Sequence, residues 1–183
     1  MQKEGKAMIR KALEKDVPAA AANYRELLTY EKENGTNSNW VLDLYPTRET
    51  AEKAWQAGTL YVLEEDGEIC GSVILNQLQP AEYGPAPWHI PAAPEEVLVI
   101  HTLCIPPSRA GHGYGKQFVQ FALALAAQQG CKAVRLDTWA GNKPAAALYT
   151  KMGFAYVGRA NVLLQGVIPE EQIFFDHAVE AES

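Results

Sequence analysis

The sequence is poor in the features that would place it in several common classes. It holds three cysteines, Cys70, Cys104 and Cys131. An odd, widely spread set with no CxxC pair builds neither a disulfide framework nor a zinc knuckle. The three lie in segments that read as strands or strand edges, as buried thiols in a reducing compartment do, and no metal site is expected. Basic residues are in deficit, 16 Lys and Arg against 22 Asp and Glu, for a net charge of −6. With no basic excess to neutralise phosphates, nucleic acid and anionic membrane surfaces are excluded as main partners; an amine ligand suits the balance. No stretch approaches the roughly 20 apolar residues of a membrane span. Residues 1–6 lead into no apolar run of the signal-peptide kind, so a cytoplasmic protein is expected. Internal repeats and charge blocks are missing too, and 14 Gly and 11 Pro are ordinary numbers. What is present is a chain of 183 residues, 48% hydrophobic. That excludes wholesale disorder and suits one domain with a sizeable core.

Residues 7 to 13 read as a first strand. Asp16-Val17-Pro18 opens a helix, with Asp16 as N-cap and Pro18 in the first turn. Its apolar face runs through Ala22, Tyr24, Leu27 and Leu28, and Asn34-Gly35 ends it. A polar loop holding Trp40 and Tyr45 follows, then a helix from Pro46-Thr47 to Gly58. Residues 59 to 63 form a strand, Asp66-Gly67 is a two-residue hairpin signal, and the return strand runs from 69 to about 78. The Pro-rich stretch from 79 to 94, with Tyr83, Trp88 and His89, is long for a connection, and such loops are functional or mobile. Residues 97 to 105 are apolar apart from His101 and Thr102, the mark of a central strand. Pro106-Pro107 stops it. A helix with Phe118, Phe121, Ala122, Leu125 and Ala126 on one face comes next. A strand over 133 to 137, a helix from Asn142 to Met152-Gly153, and strands near 154 to 164 and 172 to 179 complete the chain. The order β-α-α-β-β-β-α-β-α-β-β defines a mixed α/β protein.

The chemistry concentrates at one strand, turn and helix start: Ala110-Gly111-His112-Gly113-Tyr114-Gly115-Lys116. N–H groups at a helix start have no intrahelical partner, and the helix dipole adds positive potential there. Glycines clear side chains so that a phosphate can approach those donors. A dinucleotide site is one reading, because Asp137 stands about where the acidic residue of that pattern belongs. Against it, the glycines run GxGxG, and residues 106–110 separate them from the strand. A ligand-free surface loop is the bland alternative. A pyrophosphate from another cofactor accommodates all these residues.

These segments resemble the GNAT family of N-acetyltransferases. The family's motif [Q/R]-x-x-G-x-[G/A] is matched at Gly113 and Gly115. It is not matched at Ala110; Arg109 sits one residue early. A second signature, an Asn, a Tyr seven residues on and then Gly-Phe, is present as Asn142, Tyr149 and Gly153-Phe154. The resemblance spans about residues 8 to 179. It implies an α/β single-domain GNAT fold. The sheet would be mixed and mostly antiparallel, of six to seven strands with about four helices and a splayed central strand pair. A flexible tail over residues 1–6 would precede a domain over residues 7–183.

The resemblance also implies roles. Acetyl-CoA would be the co-substrate. Its pyrophosphate would lie on Ala110, Gly111, His112, Gly113, Tyr114, Gly115 and Lys116, with Asn142 touching the cofactor as well as capping its helix. Leu103, Cys104 and Ile105 would pair with the pantetheine arm and polarise the thioester carbonyl. Cys104 would not be a nucleophile, since family members transfer the acetyl group directly. Tyr149 matches the general acid, and Asp137 stands where some members carry a glutamate base. His101, Glu95 and Glu96 are further base candidates. On the acceptor side the resemblance places Trp40, Tyr45, Tyr83 and Trp88, read as exposed loop aromatics that would hold a cationic amine. The expectation is an enzyme acetylating a primary amine of a small molecule in a ternary complex. A protein N-terminus or lysine as acceptor, or a non-catalytic acyl-CoA-binding domain, are the alternatives. A homodimer is compatible with the two C-terminal strands.

Overall fold

Local signals set most element boundaries. Asp66 and Gly67 take φ of 53° and 78° and close a tight hairpin, as an Asp-Gly pair does readily. Gly35, at φ 99°, follows the first helix, and its N–H bonds the carbonyl of Glu31 at 2.9 Å. The Asn142 side chain accepts from the N–H of Ala145 at 3.1 Å and caps the last helix, with Pro144 in its first turn.

The computed structural model describes residues 6–181. Of the tail expected over residues 1–6, residues 1–5 lie outside the described residues. The elements are β1 (Met8–Lys11), α1 (Val17–Asn34), α2 (Arg48–Gln56), β2 (Leu60–Glu65), β3 (Glu68–Asn76), β4 (Val97–Cys104), α3 (Tyr114–Gln128), β5 (Ala133–Trp139), α4 (Lys143–Lys151), β6 (Ala155–Leu164) and β7 (Ile168–Ala178). This is the expected order. The seven strands form one sheet in the order β1-β2-β3-β4-β5-β7-β6. The sheet is mixed: β4–β5 is parallel, and β1–β2, β2–β3, β5–β7 and β6–β7 are antiparallel.

The chain divides into two compact units. The first comprises the residues through Gly35, Trp40–Ile74 and Thr102–Phe118. In it Val17, Ala20 and Tyr24 of α1 pack with Ala51 and Ala54 of α2 against Leu60, Val62 and Ile74, an i, i+3, i+7 stripe on α1. The buried face of α1 is therefore Val17, Ala20, Tyr24 and Leu28; Ala22, expected on it, is exposed. Asp16 also differs from expectation. It precedes α1, but its carboxylate binds Arg10 Nη1 at 2.7 Å and accepts the Leu13 N–H at 2.8 Å rather than capping the helix. The Arg10 guanidinium, six residues back on β1, outcompetes the helix donors.

The second unit comprises Thr36–Asn39, Leu75–His101 and the residues from Val119 on. Its core joins Tyr83, Val97, Val99, Val157 and Phe174. β4 pairs with β5 over four residues, Val97↔Ala133 to Ile100↔Leu136, while β5 continues along β7 to Trp139↔Gln172. β7 begins at Ile168, four residues before the expected start. Residues 168–171 pair with β6 before the third strand joins at Gln172, and Pro169-Glu170-Glu171 reads as polar loop although the stretch is a strand.

Candidate active site

Within the first unit, β4 ends in an irregular backbone. Thr102 has φ 49°, a left-handed conformation that is strained for a β-branched residue. Its hydroxyl lies 2.5 Å from the Tyr45 hydroxyl, which pins it. Leu103, Cys104 and Ile105 follow. Cys104 is fully buried, and burial pushes its thiol well above the usual range, with Glu31 and Glu26 adding to the effect. A thiolate nucleophile is disfavoured there.

The loop after β4 is held by charged contacts. Glu26 of α1 accepts the Ser108 N–H and hydroxyl, both at 2.8 Å. The Arg109 guanidinium, one residue from the family's position, pairs with Glu68 of β3. Gly111 and Gly113 take φ of 82° and 75°, with nothing within 4 Å of where a Cβ would stand. The Gly113 carbonyl accepts the Gln117 N–H at 3.1 Å and so opens α3. Helix geometry leaves the N–H groups of Tyr114, Gly115 and Lys116 without intrahelical partners. The Tyr114 hydroxyl donates to the Glu65 carboxylate, which raises the tyrosine pKa, and the His112 ring stacks on it at 5.3 Å. Open space above left-handed glycines at a helix start fits a pyrophosphate.

Within the second unit, Asp137 near the end of β5 is the centre of the polar geometry. The hydroxyl of Tyr83, itself 1% exposed, donates to Asp137 Oδ2 at 2.5 Å. Burial pushes the Asp137 carboxyl up to about 6; the Tyr83 hydrogen bond opposes this, and Glu170 and Glu82 raise it further. Tyr149 of α4 is buried against Phe154, ring centroids 5.5 Å apart, and its hydroxyl pKa is raised by burial and then by the Asp137 charge. Glu170 is also raised by burial, and it accepts from Gln172 Nε2 at 2.9 Å and Asn39 Nδ2 at 3.3 Å. Of the other base candidates, two are engaged elsewhere and one is exposed. His101 Nε2 lies 2.7 Å from Asn76 Oδ1, and burial lowers its pKa to about 4. Glu96 pairs with Lys132 at 2.9 Å and accepts the Ala93 N–H, and Glu95 is exposed.

The four aromatics do not form one exposed set. Trp40 and Tyr45 meet edge-to-face at 6.1 Å in the first unit. Tyr83 and Trp88 pack at 5.1 Å in the second, both against Phe174. Tyr83 is core rather than loop surface, because its ring fills the space over Val97 and Val99 and its hydroxyl has a buried partner. Trp88 is half-buried, with Nε1 donating to the Tyr83 carbonyl at 2.8 Å. Glu170, Asn39 and Arg135 in the second unit, and the Thr102 backbone in the first, carry no sequence signal. Each is defined by a partner far along the chain or by backbone geometry.

The model of the acetyltransferase (GNAT) family matches residues 28–154, more than half of the sequence, and the chain belongs to that family. It is an N-acetyltransferase, and the family uses acetyl-CoA. Solved structures share the fold. An N-acetyltransferase from Staphylococcus aureus Mu50 is 19% identical, with a TM-score of 0.71 over 96% of this chain and 99% of that one. The protein yncA of Salmonella typhimurium, solved with its cofactor acetyl-CoA, is 14% identical, with a TM-score of 0.69 over 97% and 96%. The ribosomal-protein-S18-alanine N-acetyltransferase of Escherichia coli is 14% identical, with a TM-score of 0.68 over 97% of each. At these identities the likeness carries the fold. Among the described residues no helix is long and apolar enough to cross a membrane, and no group of His, Cys, Asp and Glu is placed to hold a metal ion.

Proposed function

We propose that this protein acetylates the primary amine of a small molecule, by direct transfer within a ternary complex. The observation that carries the reading is Asp137: a partly buried carboxylate, anchored by Tyr83 at 2.5 Å and pushed up to about 6. A protonated amine cannot attack. A carboxylate with a pKa near 6 is ionised at neutral pH yet basic enough to take the amine proton in the transition state. The negative field of Asp137, Glu170 and Glu82 also attracts a cationic acceptor.

Acetyl-CoA supplies the activated acetyl thioester when bound. The first-turn N–H groups of α3, with Gly111 and Gly113 keeping the approach clear, would hold its pyrophosphate. Main-chain groups of Leu103, Cys104 and Ile105 would pair with the pantetheine arm, and an N–H there would stabilise negative charge on the carbonyl oxygen. Asn142 would contact the cofactor from its capping position. Tyr149 would give its hydroxyl proton to the departing sulfur; its raised pKa keeps it protonated across the neutral range, as a donor must be. The buried, protonated Cys104 supports transfer without an acetyl-enzyme.

A screen that follows thiol release and acetylated product over amine classes tests this. Thiol and acetylated amine should appear in equal amounts for at least one class of small amine. Tight acetyl-CoA binding without thiol release for any small amine would contradict the reading.

A further inference from the structure

β5 carries Arg135 two residues before Asp137, and both side chains meet the segment between β3 and β4. Asp137 meets Tyr83, and the Arg135 guanidinium lies 4.5 Å from the ring centroid of Trp88. Arg135 is only 6% exposed. Its Nη1 donates to Gln79 Oε1 at 2.8 Å and its Nη2 to the Ile90 carbonyl at 3.1 Å, while Nε has no partner. Among the described residues no carboxylate lies within 4.0 Å of this guanidinium. Asp176 on β7 is the nearest by electrostatics, but its oxygens are taken by the N–H groups of His89 (2.7 Å) and Ile90 (3.2 Å) and by His89 Nδ1 (2.9 Å). Every hydrogen bond the guanidinium makes is to a neutral group, and Asp176, its cross-strand neighbour, offsets part of the burial penalty through space.

The guanidinium lines a cavity of about 640 Å³ under the same segment, together with Tyr83, Trp88, Pro87, Pro91 and Ala92. The walls mix Pro, Ala and Trp side chains with polar groups, and Arg135 is the one cation among them, with its Nε unpartnered. Tyr83 is among the residues that line the cavity, and its hydroxyl holds the candidate base.

We propose that this cavity receives the carboxylate end of the acceptor. The acceptor is then an amino acid or a close analogue with an apolar side chain, its carboxylate on Arg135 and its amine toward Asp137. This rests on the reading of the protein as a small-amine acetyltransferase and names the substrate class. The planar guanidinium fork suits a carboxylate, which would accept from the N–H groups that Gln79 and Ile90 leave unused. Two residues along a strand span roughly 6.5 Å, a separation that the ammonium and carboxylate of one amino acid bridge once hydrogen bonds are added at both ends. Pro, Ala and Trp side chains receive the apolar body.

The test compares matched pairs: phenylalanine with phenethylamine, leucine with isoamylamine, and methionine with 3-(methylthio)propylamine. The wild-type protein should favour the amino acid of a pair in kcat/KM by at least a hundredfold. Arg135→Gln should reduce that ratio to near one, chiefly through a raised KM for the amino acid. Should Arg135→Gln fail to fold, the wild-type ratio decides. Equal use of both members, or preference for the decarboxylated amines, would overturn the proposal and leave the small-amine reading standing. A variant with an unchanged ratio would assign Arg135 to fastening the loop. Thiol release with no amine of any class would overturn both.

Discussion

The Tyr83 hydroxyl donates to Asp137 Oδ2 at 2.5 Å, linking the long segment between β3 and β4 to the end of β5. One hydrogen bond therefore does two things. It fixes the orientation of the candidate base, and it stabilises the carboxylate against the burial that pushes its pKa up to about 6.

Tyr83→Phe removes that donor and leaves the ring. The Asp137 pKa should rise further, so the acid limb of the kcat/KM profile should move to higher pH. Stability should fall by about 1–2 kcal/mol, the cost of a lost buried hydrogen bond. An acid limb that stays in place would separate Asp137 from proton transfer or Tyr83 from Asp137.

The same carboxyl makes stability pH-dependent. A carboxylic acid whose pKa is higher folded than unfolded binds more protons in the native state, so stability falls as pH rises from about 4 to about 6. The contribution is at most about 3 kcal/mol. Asp137→Asn lacks it. In urea denaturation the variant should gain on the wild type between pH 4 and pH 7.5, and a pH-independent difference would contradict the burial account.

Tyr149→Phe deletes one hydroxyl from a buried ring that packs on Phe154 and Phe175. Turnover should fall by about 10²-fold or more, the scale of lost acid catalysis, with little change in acetyl-CoA affinity. Full turnover would make the residue a packing tyrosine.

Gly113→Val should weaken acetyl-CoA binding at least tenfold, about 1.4 kcal/mol. The protein offers no clash at that position, so a loss measured by calorimetry reports the cofactor approach. The left-handed backbone adds strain of about 1 kcal/mol, visible separately as a lower Tm. Gly113→Ala should show the same order of effects, smaller. Unchanged affinity in both variants would remove the pyrophosphate from this turn.

The sequence discloses elements better than partners. Asp66-Gly67, Gly35 and the Asn142–Pro144 cap are local chemistry and lie where expected, because turns and caps are decided within a few residues. Asp16 misled because its carboxylate found Arg10, six residues away in another element. Tyr83 misled more, because a loop tyrosine becomes core only when a carboxylate 54 residues on receives its hydroxyl. Glu170 and Asn39, 131 residues apart, gave no sign of meeting. The glycine turn and Tyr149 were singled out by the family's spacing, and the structure puts the one at the start of α3 and the other buried on α4. Arg135 was not, since a lone basic residue in a strand shows neither its burial nor its missing partner.

The central claim, that Asp137 accepts the proton of a small amine acceptor, is tested most directly by the pH dependence of kcat/KM for that amine in the wild type and in Asp137→Asn. The acceptor should have an amine pKa above 9, so that its own ionisation stays apart. The account predicts a wild-type acid limb at about 6. In the variant the limb should be lost and kcat/KM reduced about 10²-fold or more, with acetyl-CoA affinity retained. A variant that keeps both the limb and the rate would contradict it.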